Sequence, residues 1–223
     1  FSGSFGSVVT LAHELGHAYH GLMIQDHRPL NTGYTMPVAE TASNFNELII
    51  VNDAIAKSEG EEKIQLIESQ LQDCAQIIVD IYSRFLFEDE VIRRRKNTFL
   101  FAKDLEEIMI NAQKEAYGDG LDSDTLHPYM WCCKSHYFSA GLSYYNFPYA
   151  FGGLFSRGLY AKYLEEGESF LPKYRALLKA TTVESVENVA HIAGIDLTNP
   201  DFWRKSLDVI AEKIDEFIAE TSK

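Results

Sequence analysis

The stretch SVVTLAHELGHAYHGLMI, residues 7–24, carries His-Glu-Leu-Gly-His at 13–17. Val8, Leu11, Leu15, Ala18 and Leu22 recur at helical spacing, so it reads as one helix, capped by Ser4 or Ser7. On that helix His13 and His17 stand about 6 Å apart along the axis and roughly 40° apart around it, so both imidazoles reach one ion. Glu14 lies about 60° round from His17, close enough to touch a metal-bound water without ligating the metal. A later carboxylate, Glu40 in MPVAETASNFNE (36–47), completes a two-His, one-Glu set that leaves the fourth zinc position open for that water. The pattern points to zinc-dependent hydrolysis of a peptide carbonyl, with Glu14 as the general base.

Working outward from that helix, residues 27–37 hold two prolines and Asn31-Thr-Gly33, a turn-rich loop that redirects the chain. A second helix over 38–57 then brings Glu40 back to the ion, until Ser58-Glu-Gly60 breaks the pattern. A long helical stretch is predicted over 61–95, with Ile64, Ile67, Leu71, Ile78, Ile81 and Phe85 facing inward. Another follows over 103–117 and ends at Gly118-Asp-Gly120. Residues 121–147 are aromatic and weakly periodic, the least regular part of the chain. Helices over 148–165, 169–180, 183–193 behind a Thr182 cap, and 200–220 behind an Asn199 cap complete the set. The expectation is an all-α fold of seven or eight helices. It is a zincin-type catalytic domain spanning 1–223, with the metal-binding motif on the first long helix.

A chain of 223 residues that is 46% apolar and 24% charged is ordinary globular composition, long enough to bury a sizeable core. Its formal net charge of −13 argues against nucleic acid or an anionic membrane as partner, because both need a basic face. The one basic cluster, Arg93-Arg94-Arg95-Lys96, reads as a solvated helix end. Three cysteines, two of them adjacent, make no disulfide framework and fit a reducing, cytoplasmic setting. Cys132 and Cys133 are expected as buried neutral thiols, since no further ligand completes a second metal set with His136. No apolar run approaches the length of a membrane span. Only twelve residues precede His13, an abrupt start for a catalytic helix. The expectation is therefore a carboxy-terminal piece of a longer polypeptide whose amino-terminal region is missing here.

A tetrahedral intermediate also needs donors beside its oxyanion. HYFSAGLSYYNFPY (136–149) supplies them in His136 and the tyrosines. Glu47, two turns after Glu40 on the same face, is placed to orient a ligand histidine through its second ring nitrogen, with Asn44 as competitor. His20 shares a face with His13 and reads as a satisfied helix-end histidine.

HELGHAYH (13–20), MPVAETASNFNE (36–47) and YYNFPYAFG (144–152) together resemble oligoendopeptidase F of the thimet-oligopeptidase-like zinc metallopeptidases. The likeness runs in order over nearly the whole chain. It implies the helical catalytic domain of a deep-channelled endopeptidase that binds one zinc ion and admits short, unstructured peptides. By position it makes His13, His17 and Glu40 the ligands and Glu14 the base. His136 and a tyrosine near 144–145 become the transition-state donors. Tyr144, Tyr145 and Tyr149 all stay open, because a gapless comparison lets the oxyanion tyrosine fall on Phe147. The family's polypeptides are much longer, with a helical region and a substrate-pairing strand ahead of the metal helix, and both are absent from this sequence. Two rivals remain. A zinc carboxypeptidase with the same ligands needs a basic residue to grip a free carboxylate, and none stands out. A non-catalytic peptide-binding module predicts a closed metal site, in which Glu14 has no purpose.

Overall fold

The computed structural model describes residues 2–222. Among them every regular element is helical. In chain order these are α1 (Phe5–Ile24), α2 (Met36–Ala39), α3 (Thr41–Lys57), α4 (Gly60–Ala75), α5 (Ile81–Arg95), α6 (Ala102–Tyr117), α7 (Phe147–Glu166), α8 (Leu171–Ala180), α9 (Val186–Ile192) and α10 (Pro200–Thr221). The all-α expectation is met. The chain divides into two compact units: residues up to Gln72 together with those from Phe151 onward, and Asp73–Ala150.

In the first unit, α1 starts where Ser4 accepts a hydrogen bond from the Ser7 amide. Its inner face is not the leucine stripe that suggested the helix. Ala12, Gly16, His20 and Ile24 are buried, whereas Val8, Leu11, Leu15 and Leu22 are exposed, Leu15 by 55%. The stripe correctly marks a helix but misidentifies the face turned to the core. Small residues are needed inward, because α3 runs very close. A Cβ on Gly16 would lie 2.5 Å from both Ala42 O and Ser43 Cα, against backbone that cannot yield. Asn46 Nδ2 adds a hydrogen bond to Ala12 O across the same contact, at 3.4 Å.

The helix expected over 38–57 breaks at Glu40. There φ −91° and ψ 8° separate the short α2 from α3, in the sparsely allowed bridge region. Behind this break lies the core of the first unit, where Val38, Ala42 and Phe45 pack with Phe155, Leu159, Phe170, Tyr174, Leu177, Leu178 and Ile195. His20 is fully buried beside it. Its Nε2 donates to Thr181 Oγ1 at 2.8 Å, because that hydroxyl spends its own proton on Leu178 O. The Tyr34 ring stacks on the imidazole at 4.2 Å. Further along, Ser185 caps α9, not Thr182, whose hydroxyl lies 2.6 Å from His27 Nδ1. Asn199 caps α10 as expected.

In the second unit, a single π turn at Gln76–Asp80 interrupts the predicted long helix. The wider turn takes up an extra residue and shifts the helical phase beyond it. Ile81 just past the turn is buried as expected, but Phe87 enters the core with Leu100, Ile108, Met109 and Ala112, and Phe85 is left exposed. Arg93 and Arg94 at the end of α5 pair with Glu90 on a solvated face, as read from the sequence. Cys132 and Cys133 depart from expectation. Both are exposed on a short turn of 3₁₀ helix, which offers no core to bury them, and only Cys74 is buried. No helix among the described residues is long and apolar enough to cross a membrane.

Two predictions test this packing. Gly16→Ala should destabilise the protein by about 1–3 kcal/mol through overpacking. Gly21→Ala on the same helix, where a Cβ meets nothing within 4 Å, should stabilise it by about 0.5–1 kcal/mol. Urea unfolding of the pair reads both, and equal effects would contradict the close helix contact. Burial pushes the His20 imidazole from 6.5 down to about 4. The unfolded chain then takes up a proton that the folded chain refuses, so this ring's contribution to stability is complete above pH ~6.5 and drains away as pH falls towards ~4. Wild type should lose more stability across that window than His20→Gln, measured by denaturant titration at several pH values.

Candidate active site

Because α1 and α3 run so close, one edge of α1 faces the break at Glu40. His13 Nε2 and His17 Nε2 lie 3.1 Å apart, and each is 3.4 Å from Glu40 Oε2. These three form the one group of potential metal donors found among the described residues. A tetrahedral zinc ion with bonds of about 2.0–2.1 Å spaces adjacent donors about 3.3 Å apart. The triangle therefore has the dimensions of one face of that tetrahedron. All three side chains are about one-quarter to one-third exposed, which suits a centre reached from solvent.

The surrounding hydrogen bonds set the state of each donor. His13 Nδ1 lies 2.5 Å from Glu47 Oε1. A carboxylate accepts, so the proton sits on Nδ1 and Nε2 turns its lone pair towards Glu40. Glu47 thus takes the orienting role for which Asn44 had competed. That hydrogen bond is also the main reason His13 is held above the ordinary histidine range, against the opposing effect of burial. The buried Ser43 hydroxyl lies 2.8 Å from Glu40 Oε2 and 3.1 Å from its backbone oxygen, which steers the carboxylate. A lone pair facing an anionic oxygen is an unfavourable arrangement that a cation relieves. The donor set fits zinc in number, type and spacing.

Two contributors were missed from sequence. Ser43 is a helix residue indistinguishable there from a solvent-facing one. Gly152 lets α7 come close, since a Cβ on it would sit 3.2 Å from Glu40 Cβ. Its place at the end of YYNFPYAFG was the available signal. Glu14 is exposed on α1 and makes no hydrogen bond or ion pair among the described residues. It follows His13 directly, and its charge helps to raise that imidazole's pKa.

His136, Tyr144 and Tyr145 belong to the second unit. The His136 and Tyr145 rings are 5.4 Å apart, and the Tyr145 and Tyr149 hydroxyls lie 2.9 Å from each other. Tyr144 has φ 55°, the one non-glycine residue in the left-handed region among those described. Its amide donates to Glu88 Oε1 at 2.7 Å and its hydroxyl to Asp89 Oδ1 at 2.8 Å. The two bonds offset a conformation that costs an L-residue about 1–2 kcal/mol.

A helical fold that gathers two histidines of an H-E-x-x-H helix with a glutamate from a second helix defines a metallopeptidase-like site. The model of peptidase family M3 matches residues 4–209, and the chain belongs to that family. Oligopeptidase PepF of Bacillus subtilis (strain 168) is 26% identical over 213 residues, which are 94% of this chain and 31% of that protein. An oligoendopeptidase F homolog of Mycoplasma pneumoniae is 26% identical, over 92% of this chain and 36% of its own length. Among solved structures, a peptidase of Chlamydophila abortus superposes on 99% of this chain with a TM-score of 0.87 at 22% identity. Oligoendopeptidase-F from Enterococcus faecium superposes on 97% with 0.81 at 21%. These likenesses concern the fold. The chain spans about a third of the length of the relatives it matches.

Replacing Glu47 with alanine should leave the fold intact but weaken zinc binding about 10–100-fold, because His13 loses the partner that orients it. Competition with a fluorescent chelator measures this, and unchanged affinity would remove Glu47 from the site.

Proposed function

We propose that this chain is the catalytic part of a zinc-dependent endopeptidase that hydrolyses internal bonds of short peptides. The observation that supports this most strongly is the donor triangle of His13, His17 and Glu40, sized for one face of a tetrahedral ion. When bound there, zinc acidifies water and polarises a carbonyl.

The chain's own residues do the rest. Glu14, uncommitted and adjacent to His13, takes the proton from the attacking water and passes it to the leaving amine. Glu47 and Ser43 keep His13 and Glu40 aimed while charge redistributes. His136 and a tyrosine supply hydrogen bonds to the developing oxyanion. Tyr145 is the better placed of the two tyrosines named for that role, since Tyr144 spends its hydroxyl on Asp89. The Tyr145 hydroxyl shares its hydrogen bond with the Tyr149 hydroxyl, 2.9 Å away, and not with a carboxylate.

The activity is assigned to a longer polypeptide, whose further region completes the peptide channel. The exposed apolar stripe on α1 supports this, because Val8, Leu11, Leu15 and Leu22 form a surface that water covers poorly. The net charge of −13 suits neither nucleic acid nor an anionic membrane as partner. Two exposed free thiols fit a reducing cytoplasm.

Glu14→Gln should keep one zinc per chain and lose about 10²–10⁴-fold in turnover of a quenched internal-bond peptide. Near-normal turnover by a variant with full zinc content would refute the assigned role.

A further inference from the structure

Within the second unit, two side chains, one on α5 and one just before α7, dictate the state of one imidazole. Arg84 Nη1 donates to Asn146 Oδ1 at 2.7 Å. Asn146 Nδ2 lies 2.8 Å from His136 Nε2. A guanidinium carries donors only, so the oxygen end of the Asn146 amide must face Arg84. The NH2 end is thereby turned to the imidazole. An NH2 group also only donates, so His136 Nε2 must offer its lone pair. The single proton of the neutral ring then sits on Nδ1.

Arg84 is in turn anchored. Its Nη2 pairs with the Asp80 carboxylate one helical turn earlier, and the other Asp80 oxygen accepts from the Tyr117 hydroxyl at 3.3 Å. Asn146 is only 6% exposed, so water offers the amide little alternative. An imidazolium has a hydrogen on both nitrogens and no lone pair for Asn146 to meet. Burial, aided by the charges of Arg84 and Lys134, keeps His136 below the ordinary histidine range, in agreement with a neutral ring.

We propose that Arg84 and Asn146 are positioning residues that lock His136 into its neutral Nδ1–H tautomer, so that Nδ1–H is the donor the ring presents to a ligand. Nδ1 has no hydrogen-bond partner among the described residues. The tautomer stands on the geometry alone. Its use for the oxyanion rests on the reading of His136 given above.

Ring nitrogen shifts in long-range ¹H–¹⁵N spectra of the labelled chain report the tautomer directly, with His136→Gln to assign the signals. Wild type is expected to show a protonated Nδ1 and a bare Nε2. Asn146→Asp keeps the shape and the Arg84 pairing but exchanges a donor for an acceptor, and should move the proton to Nε2. Arg84→Met frees the amide to turn and should give a mixture. In the zinc-loaded active protein, Asn146→Asp should lower kcat about tenfold or more, with KM and zinc content nearly unchanged. A wild-type ring protonated at Nε2, or an Asn146→Asp ring that keeps Nε2 bare, overturns the proposal without the need for any activity. Loss of the Glu14 role would leave these spectra untouched, so the two readings fail separately.

Discussion

The close contact between α1 and α3 is the constraint from which the candidate site follows. Gly16 has no side chain because the backbone of Ala42 and Ser43 occupies that space. The contact brings α3 within reach of the imidazole that α1 carries. Glu47 then accepts a hydrogen bond from His13 Nδ1, and the break at Glu40 turns a carboxylate towards both histidines. One alanine methyl at residue 16 would displace all of these groups together. In HELGH the glycine is therefore as much a part of the candidate site as the histidines beside it.

That contact also explains the unusual distribution of side chains around α1. Small residues and His20 face inward, the leucines face outward, and His13 and His17 lie partly exposed on the border between them. A helix oriented this way keeps the edge that carries His13 and His17 open to solvent. The buried His20 makes the opposite edge rigid by bonding to Thr181 and stacking under Tyr34. Rigid support on one side and access on the other are what a pre-organised centre requires.

The second unit solves a different problem, which is how to hold polar groups in a fixed orientation beside its own apolar core. It does so by chaining donors to acceptors: Tyr117 to Asp80, Asp80 to Arg84, Arg84 to Asn146 and Asn146 to His136. Tyr144, in its left-handed conformation, is tied to two carboxylates of α5 nearby. A segment that looks irregular by periodicity is thus ordered by hydrogen bonds, which obey no helical repeat.

The sequence by itself determined the helical class, most helix spans, and the identity of the side chains that converge at residues 13, 17 and 40. Period and spacing are local properties, readable from neighbours along the chain. It also suggested Glu47, since a carboxylate two turns beyond Glu40 returns to the same face. It misjudged which face of α1 is buried, the burial of Phe85, the cap of α9 and the exposure of Cys132 and Cys133. Each of these depends on what packs against the element rather than on the element itself. The roles of Ser43, Gly152, Arg84 and Asn146 were likewise decided only by the tertiary structure. A hydrogen bond or a close backbone approach between residues tens of positions apart leaves no periodic trace in the residues that make it.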